Sequence, residues 1–305
     1  MKRKTVGKII VLMLIILFGL VGVAQAYDLN AFDFVVYGDS HAGYEPAVPI
    51  HEAILAEIET IEPDLILHTG DYTHGDDPTT CAIFEEVTQR VRSNYPYYLT
   101  TGNHDEDKVC AVDSYHFNFK DALFVSLKVP KFTDKLSVER FNWLKSLIKN
   151  SAKRFKFVFF HNPPYSTGIR GCNTTIREQI SDLLDNYRVD VVFNGHAHGY
   201  ERFTVGNVKY VVTGGGGGVP HDLGTINCTN PINSLQYSEE TYNYVKVQVK
   251  TNSLTLEAYN TDGEMIDTMS IVKPPVKKKI LASAIEKPLT IFKRGLTKIK
   301  DIMGF

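Results

Sequence analysis

The stretch YYLTTGNHDED, residues 97–107, places an apolar run directly before a turn that carries an amide, a histidine and three carboxylates. Residues 97–100 are aromatic and branched, which is typical of a short buried strand. Gly102 allows the backbone to turn sharply at the strand end. Taken alone, Asn103, His104 and Asp105 also suit an ordinary surface turn. The rest of the chain decides between a turn and a site.

The same arrangement of a strand followed by metal-binding side chains recurs along the chain. The strand ends that carry it are Gly38-Asp39-Ser40-His41, Gly70-Asp71, Gly102-Asn103-His104-Asp105, Phe160-His161 and Gly195-His196-Ala197-His198. Each piece alone is common by chance. Because the carboxyl ends of strands in α/β sheets open onto one crevice, the whole series predicts one metal site there.

Short branched and aromatic runs alternate with helical patterns over the first two thirds of the chain. The predicted strands are residues 34–37, 65–67, 97–100, 157–160, 189–193 and 210–212, and the predicted helices are residues 48–61, 82–91, 138–148 and 176–184. Residues 245–249, 254–259 and 265–272 follow without helices, which is typical of an antiparallel meander. The pattern predicts an α/β fold with two packed mixed β-sheets flanked by helices.

The amino-terminal segment is typical of a secretory signal peptide. Four basic residues precede the apolar run of residues 9–24, and Ala24-Gln25-Ala26 offers the small residues that a signal peptidase reads. We therefore expect residues 1–26 to be a signal peptide and the protein to be secreted or otherwise extracytoplasmic. The apolar run is long for a signal core and short for a spanning helix, so an uncleaved anchor is the alternative.

Charge is distributed unevenly. Residues 27–272 hold 20 basic against 33 acidic side chains, a balance of −13, whereas residues 273–305 hold nine against two, a balance of +7. An acidic body argues against nucleic acid as a partner, because phosphate-backbone binding needs a basic face. The tail repeats apolar residues at helical spacing among its lysines, which favours membrane-surface contact or packing on the acidic body.

The four cysteines are even in number, which outside the cytosol usually indicates disulfides. Cys81 and Cys110 each follow a strand-end motif by about ten residues, and Cys172 and Cys228 lie in later loops rich in glycine and asparagine. Pairing Cys81 with Cys110 and Cys172 with Cys228 is favoured among the connectivities. Free buried thiols are the alternative.

In their order, the strand-end motifs resemble the calcineurin-like metallophosphoesterase superfamily, whose blocks read Asp-x-His, Gly-Asp, Gly-Asn-His-Asp/Glu, a strand-end His and Gly-His-x-His. HNPPY at residues 161–165, GHAHGYER at 195–202 and TGGGG at 213–217 are similar to the purple acid phosphatase branch. That branch begins with Asp-x-Gly and has a metal-binding tyrosine three residues after the second-block Asp. Here His41 and His74 occupy those positions, so its iron-tyrosinate colour is not expected.

The resemblance implies a four-layer αββα sandwich over residues 27–272 as the catalytic domain, followed by the basic tail at residues 273–305. It also implies two divalent or trivalent metal ions. The implied ligands are Asp39, His41 and His198 on one ion, Asn103, His161 and His196 on the other, and Asp71 between them. Carboxylate, imidazole and amide ligands together suit Mn, Fe or Zn.

Three residues beside the ligands are the candidate catalytic groups. His104 does not match a metal ligand of the family that the chain resembles, and it is placed to protonate the leaving alkoxide. Asp105 orients the loop or His104, or only stabilises the turn. His74 either hydrogen-bonds His104 or joins the metal shell.

The remaining polar and glycine residues near the motifs have two interpretations each. Residues 214–218 are glycines that supply N–H groups to phosphate or that adopt positive φ. Arg170 and His221 contact substrate or lie in solvated loops. The residues expected to pack rather than react are Tyr165, Tyr200, His51, His68 and His116.

These features together predict a secreted dinuclear-metal phosphoesterase. The resemblance implies that a hydroxide bridging the two ions attacks phosphomonoesters in line. The alternatives are a phosphodiesterase with the same core and a non-catalytic metal- or phosphate-binding protein. A small phosphoester is the expected partner, and the sequence leaves the oligomeric state open.

Overall fold

The computed structural model describes residues 28–75, 77–224 and 234–275. The predicted signal peptide, Cys228 and residues 276–305 of the predicted tail lie outside the described residues. The described residues up to Ile271 belong to one compact unit. Among the helices of the described residues, none has the length and apolar character needed to cross a membrane.

The described residues form helices and strands close to those predicted. The helices are α1 (Val48–Ile61), α2 (Thr80–Asn94), α3 (Val138–Asn150) and α4 (Thr174–Asn186), with a short 3-10 helix at Glu45–Ala47. The strands are β1 (Phe32–Tyr37), β2 (Leu65–His68), β3 (Tyr97–Leu99), β4 (Tyr115–Phe119), β5 (Ala122–Ser126), β6 (Phe155–Phe159), β7 (Val191–Asn194), β8 (Tyr200–Val205), β9 (Val208–Thr213), β10 (Leu235–Glu239), β11 (Asn243–Lys250), β12 (Ser253–Asn260) and β13 (Met265–Val272).

The strands form two mixed sheets, which confirms the predicted fold class. The six-stranded sheet has the order β13-β12-β11-β1-β2-β3, and the seven-stranded sheet has the order β10-β8-β9-β7-β6-β5-β4. β1, β2 and β3 run parallel in the first sheet, as do β5, β6 and β7 in the second. The predicted meander joins the first sheet, where β11 pairs antiparallel with β1 and with β12.

The inner faces of the two sheets pack on each other through aromatic side chains. Phe34 of β1 meets Phe124 and Phe157 of the other sheet with ring centroids 5.3 and 5.1 Å apart. All three side chains are fully buried, together with Val247 of β11. Burying one such side chain stabilises the fold by about 1.5–3 kcal/mol. The sandwich core is therefore built mainly by the alternate inward-facing residues of both sheets.

The outer faces are covered by helix pairs. Ile54 and Ile58 of α1 pack with Val35 on the outside of the six-stranded sheet, and Ile180 of α4 packs with Val158 on the outside of the other. The helices begin where the sequence provides a cap or a preset turn: Ser137 accepts from Arg140 N before α3, Asn173 accepts from Ile176 N before α4, and a proline opens α1.

The structure contains β4, β5, β8 and β10, which the sequence pattern does not predict. β4 and β10 lie at the edges of their sheet, where alternate residues are exposed and the apolar signal is weak. β8 begins at Tyr200, inside the predicted motif GHAHGYER. The motif therefore spans the turn after β7 and the start of β8.

Candidate metal centre

The strand-end loops of both sheets meet at one edge of the sandwich. The six-stranded sheet contributes the loops after β1, β2 and β3, and the seven-stranded sheet contributes those after β6 and β7. The structure brings together all of the predicted ligands and candidate catalytic residues there: Asp39, His41, Asp71, His74, Asn103, His104, Asp105, His161, His196 and His198.

The backbone at this edge is held in an uncommon conformation. Asp39, His41, Asp71 and His196 have φ values of 59°, 47°, 52° and 69°, in the left-handed region that non-glycine residues rarely occupy. They are half of the eight non-glycine residues with positive φ in the described ranges. Such strain is typical of functional sites, where the surrounding structure fixes it. Here it turns each side chain toward the crevice immediately after its strand.

The first group of candidate ligands consists of Asp39, His41 and His198, which are all buried. His41 Nε2 lies 3.1 Å from His198 Nε2, and His198 Nε2 lies 3.5 Å from Asp39 Oδ1. Both Asp39 oxygens accept from the backbone N–H of His196 at 3.0 and 2.9 Å. This group therefore combines two residues of the six-stranded sheet with one of the other.

The second group is formed by Asp71, His161 and His196, with Asn103 beside it. His161 Nε2 lies 3.1 Å from Asp71 Oδ2, 3.1 Å from Asn103 Oδ1 and 3.2 Å from His196 Nδ1. The other Asp71 oxygen accepts from the backbone N–H of His104 at 2.8 Å. Asp71 Oδ2 thus faces the cluster while Oδ1 fixes the carboxylate plane.

Two of the imidazoles are oriented by main-chain carbonyls. His161 Nδ1 lies 3.0 Å from the carbonyl oxygen of Thr69, and His198 Nδ1 lies 3.0 Å from that of Val219. An N–H donated to these carbonyls fixes the tautomer and leaves Nε2 as the free lone pair, which is the usual arrangement of metal-binding histidines. Thr69 and Val219 act through their backbone, so no side-chain pattern identifies them.

The electrostatics favour cations between the two groups. Burial lowers the pKa of both His41 and His196 to about 3, so these rings are neutral and offer lone pairs. Burial also lowers the pKa of His161, but Asp71 and Asp39 outweigh it and raise that pKa to about 9. The two buried carboxylates, Asp71 and Asp39, thus favour a positive charge on the His161 imidazole. This donor set fits metal ions of the Mn, Fe or Zn type.

Asp105 ties two loops together. Its Oδ2 accepts from the backbone N–H groups of Asp71 and Gly102 at 2.7 and 2.8 Å, and its Oδ1 accepts from Thr73 N and Oγ1 at 2.9 and 2.8 Å. The carboxylate is fully buried and its hydrogen bonds go to these loops rather than to the His104 ring. Of the predicted roles, these contacts agree with orienting the loops and not with orienting the His104 ring.

His104 and His74 lie at the open side of the cluster. His104 is about one third exposed, and its Nε2 lies 3.9 Å from Asp71 Oδ2. His74 stacks on His104 with centroids 5.4 Å apart and on Tyr44 at 4.8 Å. Its Nδ1 lies 3.2 Å from His41 Nδ1. His74 therefore contacts His104 by stacking and not through the predicted hydrogen bond. For the predicted metal shell, His41, His74 and His104 form a third group of side chains that could hold an ion.

A cavity of about 300 Å³ opens above the cluster. Arg170 and His221 line it, as do Tyr44 and Val219, which belong to none of the sequence motifs. The His221 ring stacks on His198 with centroids 4.1 Å apart. The predicted substrate contacts thus lie at the candidate site rather than in remote loops.

Asn103 also borders two neighbouring cavities, so the cluster is open on several sides. One has a volume of about 730 Å³ and includes His104 and Lys131. The other has a volume of about 300 Å³ and includes Arg170 and His196. A bound phosphoryl group could therefore carry more than one substituent.

The glycines at 214–218 do not adopt the predicted positive φ, and three of them donate their N–H groups within the protein rather than to a phosphate. None of the five has positive φ, and Gly214, Gly216 and Gly218 donate their N–H groups to backbone carbonyls. A Cβ on Gly216 would lie 2.2 Å from the carbonyl oxygen of Gly38, and one on Gly218 would lie 2.4 Å from the His198 ring. These glycines are needed because the loop packs directly against the strand-end loops of both sheets.

The residues expected to pack rather than react lie outside the cluster. Tyr165 donates to Ser181 Oγ, and Tyr200 donates to Asp267. The other three are histidines. His51 is buried against the Tyr37 hydroxyl, His68 is buried against Ser40 Oγ, and His116 is exposed on β4 beside Trp143.

Comparison with known proteins identifies the strand-end motifs. A family model described as calcineurin-like phosphoesterase matches residues 32–200, more than half of the chain. Purple acid phosphatase 22 of Arabidopsis thaliana is 27% identical over 180 residues, which cover 50% of this chain and 42% of that protein. The Arcobacter nitrofigilis protein named "Probable glycerophosphodiester phosphodiesterase GpdQ" is 28% identical over 178 residues, which cover 50% of this chain and 64% of that protein.

A similar fold occurs in a solved structure. The purple acid phosphatase PPD1 from yellow lupin (Lupinus luteus) seeds superposes with a TM-score of 0.66 at 18% identity, covering 80% of this chain and 54% of that one. At this identity the likeness shows the fold alone. In each of these three comparisons the chain spans less than two thirds of the matched protein.

Proposed function

The chain belongs to the calcineurin-like phosphoesterase family, and we propose that it is a secreted dinuclear-metal phosphoesterase that hydrolyses phosphomonoesters. The observation that carries this proposal is the convergence of two Asp/His groups, one from each ion site, at the shared edge of the sheets. The family uses a dinuclear metal centre. Asp39, His41 and His198 would hold one ion, Asn103, His161 and His196 the other, and Asp71 both.

Bound ions would supply Lewis acidity that lowers the pKa of a water molecule and neutralises the phosphate oxygens. The chain itself fixes the geometry in which that chemistry takes place. The hydrogen bond from His104 N to Asp71 Oδ1 orients Oδ2 toward His161. Asp105 holds the loops that carry Asp71 and Gly102 in register, so the ligands of the six-stranded sheet keep their spacing.

His104 is the proposed general acid. Its ring lines the cavity and is close to Asp71 Oδ2 without entering either Asp/His group of the proposed ion sites. A proton held at this ring can be given to the leaving alkoxide as the P–O bond breaks. His104 is therefore required most when the leaving group is a strong base.

Arg170 and His221 are the proposed substrate contacts. Arg170 is exposed at the junction of two cavities that both include Asn103 and His196. A guanidinium at such a junction can pair with phosphate oxygens that face away from the ions. His221 would contact the same face of the substrate from the wall beside His198.

Phosphodiester hydrolysis is the second candidate, because three cavities meet at Asn103. Each of the two ester substituents of a diester needs a cavity that leads away from the ions, whereas a monoester needs only one such cavity. A non-catalytic binding protein is the remaining alternative, and the complete set of candidate ligands together with His104 argues against it.

Secretion and membrane-surface contact through the basic tail at residues 273–305 remain part of the proposal. Both rest on sequence features outside the described residues. Vesicle co-sedimentation of the full chain and of a chain ending at Val272 tests the second part. Stronger binding of the full chain to anionic vesicles is expected, and equal binding would remove the membrane role.

The experiment that tests the function compares hydrolysis of p-nitrophenyl phosphate and bis(p-nitrophenyl) phosphate by the purified protein reconstituted with Mn²⁺, Zn²⁺ or Fe. A larger kcat/KM for the monoester is expected. A larger value for the diester would select the second candidate. Two bound ions without hydrolysis of either ester would leave only the binding role.

A further inference from the structure

His74 occupies a fixed position over His41. An isolated bridge pairs Ala42 with Thr73, and His74 N donates to the carbonyl oxygen of Ala42 at 3.0 Å. The loops after β1 and β2 are thus joined directly beside the first candidate ion site. The distance of 3.2 Å between His74 Nδ1 and His41 Nδ1 follows from this pairing.

Three candidate ligands, His41, His161 and His198, differ in the partner of Nδ1, the ring nitrogen that faces away from the ion site. The Nδ1 atoms of His161 and His198 each face a main-chain carbonyl at 3.0 Å. His41 Nδ1 instead faces the side chain of His74. Because the partner of His41 is a side chain, a substitution can remove it, whereas no substitution removes a main-chain carbonyl.

We propose that His74 is a positioning residue that accepts the Nδ1–H of His41 and thereby directs His41 Nε2 toward Asp39 and His198. The proposal rests on the proposed metal centre. His41 Nε2 lies 3.1 Å from His198 Nε2, so this nitrogen faces the first ion site. A neutral His41 then carries its proton on Nδ1, and His74 presents its Nδ1 lone pair to that proton.

The rings around His74 support this orientation. Tyr44 and His104 both stack on the His74 ring, with interplanar angles of 28° and 12°, while the His41 ring stands at 76° to it. The two stacking partners hold the ring plane, so that an edge nitrogen rather than a ring face meets His41. The same contacts place His74 beside both Tyr44 of the cavity wall and the proposed general acid His104.

Two substitutions separate the hydrogen bond from the ring. His74→Phe keeps an aromatic ring between Tyr44 and His104 but removes the acceptor. His74→Asn removes the ring but keeps an acceptor oxygen close to the position of Nδ1. His116→Phe is the control for the exchange of an imidazole for a phenyl ring, because His116 is exposed on β4 beside Trp143 and lies outside the cluster.

The readout is metal affinity, measured by calorimetric titration of the metal-free full chain with Mn²⁺ or Zn²⁺. Loss of an outer partner of a metal-binding histidine typically lowers affinity about 10- to 100-fold. We expect a loss of that size for one of the two ions in His74→Phe. We expect affinities close to wild type in His74→Asn and in the control.

Each other outcome has a defined meaning. Equal affinities in wild type and His74→Phe would overturn the positioning role, as would equal losses in His74→Phe and His74→Asn. A third ion in the wild type that both variants lose would make His74 a ligand itself and would also overturn it. A wild type that binds no ion would refute the proposed metal centre, whereas the preceding results leave that centre intact.

Discussion

The two sheets contribute different chemistry to the candidate site. The loops of the six-stranded sheet supply both carboxylates together with an amide, one imidazole ligand and the proposed acid: Asp39, Asp71, Asn103, His41 and His104. The loops after β6 and β7 supply only imidazole ligands, namely His161, His196 and His198. Each candidate ion site draws on both sheets. The ions would therefore link the two halves of the sandwich.

The loops are also held in different ways. On the six-stranded side, the single carboxylate of Asp105 joins the loops after β2 and β3. On the other side, backbone contacts cross between the sheets: Gly216 N donates to Gly38 O, and Gly218 N donates to Asp39 O. The loops that carry the carboxylates are thus held together within one sheet, and the glycine loop of the other sheet is fixed against them by backbone hydrogen bonds.

The largest expected effect follows from removing the shared carboxylate. Asp71→Ala should lose both ions and all measurable hydrolysis, because Asp71 is the proposed ligand common to both. His161→Ala should lose only the ion of the second group. Elemental analysis of the two variants checks this difference. Retention of both ions by Asp71→Ala would show that Asp71 is not a ligand shared by the two ions.

A smaller loss is expected from the proposed acid. His104→Ala should keep both ions but lose about 10²- to 10⁴-fold in kcat for an alkyl phosphate. The loss should be least for p-nitrophenyl phosphate, since nitrophenolate leaves without a proton. Steady-state rates on both esters test this, and equal losses on both would refute the general-acid role.

Removing the disulfide tests how much it stabilises the loops of the six-stranded sheet. Cys81 of α2 is bonded to Cys110 after β3, which confirms the predicted pairing. Cys172 is disulfide-bonded as well, and its predicted partner Cys228 lies outside the described residues. The double variant Cys81→Ala/Cys110→Ala should lower the free energy of unfolding by about 2–4 kcal/mol.

Urea unfolding of the metal-loaded double variant measures that loss, with oxidised wild type as the reference. The bond anchors the loop that carries Asn103, so a measurable decrease in metal affinity should accompany it. An unchanged free energy of unfolding would show that this loop needs no covalent anchor.

The smallest effect is expected at the imidazole side of the cavity. Arg170→Ala should raise KM about 10-fold, since a hydrogen bond to a charged group contributes about 1.5 kcal/mol, and should leave metal content unchanged. Arg90→Ala is the control, because Arg90 is an exposed residue of α2 paired with Glu59. Equal KM values for the two variants would remove Arg170 from the substrate site.

The sequence predicts the strand ends better than what surrounds them. Gly70-Asp71 and Gly195-His196 are recognisable because a sharp turn after a strand needs glycine and the ligand follows at once. The sequence does not predict which strand belongs to which of the two sheets, because the residue pattern of a strand does not identify its sheet. Thr69 and Val219 are missed since they act through carbonyls, and the Gly216 contact with Gly38 depends on tertiary packing.

The central claim, a dinuclear centre shared by both sheets, is tested most directly by counting ions. Elemental analysis of the purified wild-type chain, before and after chelation, should find two ions and then none. Chelation should abolish phosphomonoester hydrolysis and lower the melting temperature, because ions that bind only the folded state stabilise it, and added metal should restore both. Full hydrolysis and an unchanged melting temperature in the metal-free protein would contradict the claim.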